Sequence, residues 1–99
     1  AVVYYGAKVI NNKLSPITGP MSRWVAHRWV WEQNQSSTGK DYWGVYTYAG
    51  DSAYTFASFY CKNGLFPIMH DQHGEYAHYH VKPKSVVKRF HVWFGVPLA

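Results

Sequence analysis

The sequence predicts an α+β domain in which helices pack on one face of a small antiparallel sheet that ends in a C-terminal β-hairpin. One segment in the middle of the chain has a helical pattern with end signals, and aromatic and β-branched residues alternate with polar ones near the end. Helices that precede a run of strands are typical of this class. The length of 99 residues suits one core, so we treat residues 1–99 as a single domain.

The N-terminal half gives weaker signals. Residues 1–14 are ambiguous between helix and strand, and two prolines and a glycine predict that residues 15–20 break regular structure. Residues 22–33 favour a helix, with Ser22 as its cap and with Met21, Val25 and Trp29 on one stripe, although strand alternation fits nearly as well.

The following segments are predicted with clearer signals. After a polar loop over residues 34–39, the run DYWGVYTY predicts a strand over residues 41–48. Residues 49–64 predict a helix, with Asp51 as N-cap, Lys62 in the last turn and Gly64 after its end. A short strand over residues 65–69 then precedes a hairpin in which residues 75–81 pair with residues 86–94 around Pro83.

Composition narrows the classes of function. Lys and Arg total ten against five Asp and Glu, a formal charge of +5, which favours polyanionic partners such as RNA or serves solubility. Aromatic residues make up 19% of the chain, so some of them should line a groove or an interface. No apolar run is long enough to span a membrane, and a start at Ala1 fits a mature secreted protein or a domain excised from a longer one.

The single cysteine, Cys61, excludes an internal disulfide and a zinc site built from several thiolates of one chain. Its apolar neighbours predict a buried thiol rather than a nucleophile. His27, in the early aromatic segment, is interpreted as a histidine of the core or its rim.

Three histidines in the predicted hairpin form the main candidate site. Strand alternation places Tyr76, His78 and His80 on one face of the first strand, and places His91 on a face of the second strand that it shares with Arg89. If the register puts His91 beside His78 or His80, the imidazoles converge.

The three histidines allow three interpretations. His78, His80 and His91 could bind zinc, although the sequence offers no clear fourth ligand. They could instead act as acid and base in metal-independent cleavage of RNA, whose 2′-hydroxyl supplies the nucleophile. Finally, they could pack with tyrosines on a half-exposed sheet without any chemistry.

Residues near the hairpin histidines could bind the substrate of such an enzyme. Tyr76 could stack on a base. His70 or His73, in the sequence HDQH, could complete the site from a mobile loop, or that loop could be merely solvated. Four cationic residues could hold a phosphate, or could instead protect a strand edge: Lys82, Lys84, Lys88 and Arg89.

The C-terminal half, with HYH at residues 78–80 and HVWFG at residues 91–95, resembles C-terminal toxin modules of secreted bacterial polymorphic toxins. The resemblance spans residues 51–95 and implies a small basic nuclease with active-site residues His78, His80 and His91. It also implies delivery into target cells and inhibition by a dedicated immunity protein, which the positive charge of the domain suggests is acidic.

We therefore expect a secreted or delivered toxin domain that cleaves RNA without a cofactor. His78 or His80 would act as general base, His91 as general acid, and Lys88 or Arg89 would stabilise the charge on the phosphate. The alternatives are a cationic aromatic module that binds an envelope or polysaccharide without turnover, and a zinc hydrolase that uses the same histidines.

Overall fold

A computed structural model describes residues 2–11, 13–36, 43–61, 68–70, 77–80 and 90–95. In chain order, the described residues form the following elements: β1 (Tyr5–Ile10), β2 (Lys13–Pro16), α1 (Arg23–Ser36), β3 (Trp43–Tyr46), α2 (Gly50–Ser58), β4 (Ile68–His70), β5 (His78–His80) and β6 (Phe90–Trp93).

The strands form one sheet in the order β2-β1-β3-β6-β5-β4. Every pair of neighbours is antiparallel except β3 and β6, which run parallel in the centre of the sheet. The sheet therefore consists of an N-terminal and a C-terminal group of three strands, joined by the β3–β6 pair. The predicted α+β class is confirmed, and one parallel pair makes the mostly antiparallel sheet mixed.

Both helices pack on the same face of the sheet, as predicted. α1 contacts β1 and β3, whereas α2 contacts β5 and β6. Between the helices and the sheet lies an almost completely buried core, and its aromatic rings contact one another at tilted and edge-on angles. Its main members are Tyr4, Ala26, Val30, Trp43, Val45, Ala53, Phe56, Ala57, Tyr60, Phe90 and Val92.

α1 is confirmed as a helix, but its predicted buried stripe is wrong in part. Val25 is 42% exposed, and the fully buried positions are Ala26 and Val30. Trp29 packs at an edge-on angle against Trp43, with ring centroids 5.8 Å apart. Tryptophans lie on both the buried and the exposed side of this helix, which hides its amphipathic pattern in the sequence.

α2 begins earlier than predicted, and Asp51 is not its N-cap. The cap position is Ala49, whose backbone is extended and which makes no capping side-chain hydrogen bond. Asp51 lies in the first turn, where its carboxylate accepts a hydrogen bond of 2.8 Å from the Ser52 N–H. A negative charge in the first turn interacts favourably with the helix dipole, so Asp51 stabilises the start of α2 without being its N-cap.

The remaining predictions of elements have mixed outcomes. Residues 1–14 contribute strands, and the predicted break over residues 15–20 is wrong at its start, because Ser15 and Pro16 belong to β2. Proline is tolerated at the end of an edge strand, where its missing N–H removes no ladder bond. The strand β3 and the hairpin pairing of β5 with β6 are confirmed. The predicted end of the second helix is wrong, because α2 ends at Ser58 with Phe59 as its C-cap, before Lys62 and Gly64. These two residues and the turn around Pro83 lie outside the described residues.

Candidate active site on the helix-free sheet face

Strand register brings the hairpin histidines together. β5 and β6 are antiparallel neighbours, with His78 opposite Trp93 and His80 opposite His91. On the other side of β5, the backbone of His70 in β4 is paired with that of His78. The side chains of His70 and His80 are outside the described residues, so the geometry of the site is defined by His78 and His91.

The imidazoles of His78 and His91 are in contact. Their ring centroids are 5.0 Å apart and their planes lie at 71°, an edge-on arrangement. The His91 ring also stacks on Trp93, with centroids 5.3 Å apart and planes at 12°. Because the two imidazole planes are nearly perpendicular, the edge of one ring is directed toward the face of the other.

The histidine pair lies on the face of the sheet opposite to α1 and α2, which we call the helix-free face because neither of these two helices packs on it. Val92 and Tyr79, the neighbours of the pair along the two strands, face the helical core, so alternation places His91 and His78 on the other side. Both histidines are covered there, with 4% exposure for His78 and 5% for His91. The pair is therefore largely removed from water.

An apolar cluster adjoins the histidine pair on this face and limits the access of water to it. It consists of Ala7, Leu14, Tyr46 and Trp93, with Tyr5 packed against it. Burial raises the pKa of the Tyr46 hydroxyl, and the nearby Tyr48 and Tyr5 raise it further. Tyr46 is therefore neutral at physiological pH and can serve as a hydrogen-bond donor near Trp93.

Gly44 determines how closely β3 approaches the backbone of His91. A Cβ atom at Gly44 would collide with the His91 carbonyl oxygen and would lie 2.7 Å from its carbonyl carbon. The parallel register places Gly44 directly opposite His91. Sequence analysis did not single out this glycine; glycine inside an aromatic strand pattern is the signal that would have indicated a close backbone approach.

The other predicted substrate-binding residues cannot be placed. Tyr76, Lys82, Lys84, Lys88 and Arg89 all lie outside the described residues. His73 does as well, so a contribution of the HDQH loop to the site stays a prediction.

Within the part of the chain that the structure describes, no group of three or more His, Cys, Asp or Glu side chains could hold a metal ion. The described helices include none that is long and apolar enough to cross a membrane.

His27 is a core histidine, as predicted. It is 4% exposed, stacks on Phe56 with centroids 4.1 Å apart and planes at 2°, and its Nδ1 lies 2.6 Å from the Tyr60 hydroxyl oxygen. Burial, and to a smaller extent the positive charge of Arg23, lowers its pKa from 6.5 to about 4. His27 belongs to α1 and its ring packs against Phe56 of α2, which indicates a structural role.

Cys61 is a partly buried thiol that packs against the helical core. Its Sγ lies 3.8 Å from the Ala57 carbonyl oxygen. Burial raises the pKa of the thiol, which suppresses the reactive thiolate, as expected for a residue that is not a nucleophile.

A cleft of about 400 Å³ lies between the N-terminal segment and the start of α2, away from the histidine pair. Burial raises the pKa of the Tyr4 hydroxyl in this cleft. The positive charge of Arg23 lowers this pKa and the negative charge of Asp51 raises it, and both effects are smaller than that of burial. The opposite charges of Arg23 and Asp51 partly cancel, so the cleft does not present a site for an ion of one sign. Its lining consists of Val2, Tyr4, Arg23, Asp51, Ser52 and Thr55.

Comparison of the chain with models of protein families, with curated proteins and with solved structures found no match. The resemblance of residues 51–95 to toxin modules therefore stays a hypothesis that depends on the short motifs HYH and HVWFG.

Proposed function

We propose that this domain cleaves RNA without a metal ion and that His78 and His91 exchange the protons of the reaction. The observation that supports the proposal is the contact between the two imidazoles, 5.0 Å apart on adjacent strands. The reaction needs both an acid and a base, and the imidazole side chain is a type of group that can serve in either role.

The proposed reaction is an internal transesterification. One histidine, His78 or its neighbour His80, accepts the proton of the 2′-hydroxyl while that oxygen forms a bond to phosphorus. The bond from phosphorus to the 5′-oxygen breaks, and His91 donates a proton to the leaving oxygen. The products are a 2′,3′-cyclic phosphate and a 5′-hydroxyl, and the net number of protons is unchanged. Lys88 or Arg89 would stabilise the charge on the phosphate.

Burial of the pair adds a requirement. Because His78 and His91 are 4% and 5% exposed, a phosphodiester reaches the imidazole nitrogens only when the helix-free face opens. The free energy of opening adds to the barrier of the reaction. We therefore expect modest turnover that rises under mildly destabilising conditions, such as low concentrations of urea.

The biological role that we propose is that of a secreted or delivered bacterial toxin domain with an acidic immunity protein as its inhibitor. Support comes from the resemblance of residues 51–95 and from the formal charge of +5, which favours both an RNA substrate and an acidic partner.

The test measures cleavage of a labelled RNA oligonucleotide in excess EDTA by the parent protein, His78→Asn and His91→Asn. We expect both substitutions to lower the rate by ~10²-fold or more. His27→Phe is the matched control, because His27 is equally buried but lies among the helices. The control should cleave like the parent, with a cyclic phosphate as product, and the 2′-deoxy oligonucleotide should stay intact.

The same experiment separates the alternatives. Cleavage by His78→Asn and His91→Asn at the parent rate would contradict the proposed roles. Activity that requires added zinc would favour the zinc hydrolase. Intact RNA under all conditions, with folded protein confirmed by circular dichroism, would favour a binding module without turnover.

A further inference from the structure

α1 carries an exposed stripe of two tryptophans and one arginine. Trp24 is 65% exposed and Trp31 is 40% exposed, and Arg28, between them, is also exposed. Residues at positions i, i+4 and i+7 lie on one side of a helix, so the three side chains form a continuous row, which we call the α1 stripe.

The tryptophan rings of the α1 stripe rest on buried rings of the core. The Trp24 centroid lies 5.5 Å from that of His27, and the Trp31 centroid lies 5.8 Å from that of Tyr60. The guanidinium carbon of Arg23 lies 5.2 Å from the Trp24 ring centroid. These contacts hold the rings in place before any ligand binds, which reduces the entropy that binding costs.

Phe59, which follows α2, extends the aromatic surface beside the α1 stripe. It is 51% exposed, and its ring contacts the same two core residues, at 4.5 Å from His27 and 5.4 Å from Tyr60. Contiguous exposed apolar surface often marks an interaction site.

The spacing of the α1 stripe matches the chemistry of a single nucleic acid strand. Trp24 and Trp31 are two helical turns apart, or about 10 Å along the axis, a distance that a few nucleotides of a flexible single strand can span. Each ring could stack on one base, while Arg28 between them could contact an intervening phosphate. The charged side chain between the rings interrupts the apolar surface, which is unfavourable for insertion into a lipid layer.

The charge on α1 is also favourable to a polyanion. Arg23 and Arg28 lie on or next to the stripe, and the domain as a whole has a formal charge of +5. Glu32, one turn after Arg28, is the single acidic residue in the α1 sequence. Its carboxylate attracts Arg28 and repels a phosphate, so it should limit affinity.

We propose that the α1 stripe is a binding surface for single-stranded nucleic acid, separate from the histidine pair. The stripe lies on the helical side of the sheet and the pair on the other side. The inference does not rest on the proposed cleavage. Stacking and phosphate contacts need no 2′-hydroxyl, so single-stranded DNA should bind as well as RNA, whereas a duplex with stacked bases should bind more weakly.

The test is the fluorescence anisotropy of a labelled 12-nucleotide oligodeoxythymidine, which the proposed reaction cannot cleave. We expect Trp24→Ala and Trp31→Ala each to weaken binding by on the order of 10-fold. Tyr48→Ala is the matched control, because Tyr48 is 67% exposed and lies outside the α1 stripe. Both tryptophans are exposed enough for the variants to fold, which circular dichroism verifies.

Charge substitutions provide an independent measurement. Arg28→Gln should reduce the slope of log affinity against log salt by about 0.7, the value for one phosphate contact on a single strand. Glu32→Gln should raise affinity.

Several results would overturn the inference. The first is that the double variant Trp24→Ala, Trp31→Ala binds with an affinity within about 2-fold of that of the parent. The second is that Tyr48→Ala loses as much affinity as the tryptophan variants do. The third is that the protein does not bind the oligonucleotide but binds anionic lipid vesicles in a way that depends on the tryptophans. Loss of cleavage in the histidine variants would leave it unaffected.

Discussion

His27 makes the stability of the fold sensitive to acid. In the folded protein the imidazole stacks on Phe56 and contacts the Tyr60 hydroxyl, and burial together with Arg23 lowers its pKa from 6.5 to about 4. Within the described residues its Nε2 is buried and has no hydrogen-bond partner. A proton on this ring would place a charge in the core without compensation.

The sign of the pH dependence follows from the two protonation states. Between pH 6.5 and about 4, the unfolded chain binds a proton at His27 that the folded protein does not. The stabilisation from His27 is therefore complete above pH 6.5 and is lost as the pH falls. At about 1.36 kcal/mol for each unit of pKa difference, the loss reaches about 3 kcal/mol near pH 4. This is a large part of the ~5–15 kcal/mol that stabilises a typical domain.

The assay is urea unfolding of the parent and of His27→Phe at several pH values between about 7 and 4. Phenylalanine keeps a flat ring against Phe56 but cannot bind a proton, and all other titrating groups are the same in both proteins. We expect the stability of the parent, relative to the variant, to fall by about 3 kcal/mol over this range. Parallel curves for the two proteins, or an NMR titration of His27 near pH 6.5, would refute the argument.

Two further predictions concern packing. Gly44→Ala should destabilise the domain by about 3 kcal/mol or more, because its Cβ would collide with the backbone of His91 and separate β3 from β6; Gly19→Ala is the control, since a Cβ there meets no atom within 4 Å. Leu14→Ala should cost about 2–5 kcal/mol in thermal or chemical unfolding, because Leu14 is 1% exposed in the cluster on the helix-free face; a loss below ~1 kcal/mol would show that this cluster contributes little.

Local signals allowed the elements to be predicted better than their arrangement. α2 was predicted from signals at its ends, and its existence is confirmed although Asp51 is not the N-cap; its buried residues are Ala53, Phe56 and Ala57. The two-residue period of a strand likewise predicted that His91 lies on the face opposite to Phe90 and Val92, although all four residues of β6 are buried. The parallel pairing of β3 with β6 was not predicted, because an alternating pattern identifies a strand but contains no information about its partner.

The candidate site could be predicted as a set of residues but not as a geometry. From the sequence, His78 and His91 converge only if the register of the two strands brings them side by side. In the structure His78 pairs with Trp93, and this register does so. The nearly complete burial of the two histidines was not predicted; only the interpretation without chemistry described their surroundings, as a half-exposed sheet. The α1 stripe was also missed, because the aromatic residues of α1 gave no indication of which of them face outward.

The parallel pairing of β3 with β6 is the place in the sheet where the N-terminal group of three strands meets the C-terminal group. Residue 43 pairs with residue 90, so this contact closes a long loop and forms at a higher entropic cost than the antiparallel pairs on either side. A cut within residues 62–67 would leave β1, β2, β3 and both helices on one fragment and β4, β5 and β6 on the other. The domain is thus organised like a split protein, in which two fragments reassociate through a single row of backbone hydrogen bonds and the apolar side chains that α2 packs against β6.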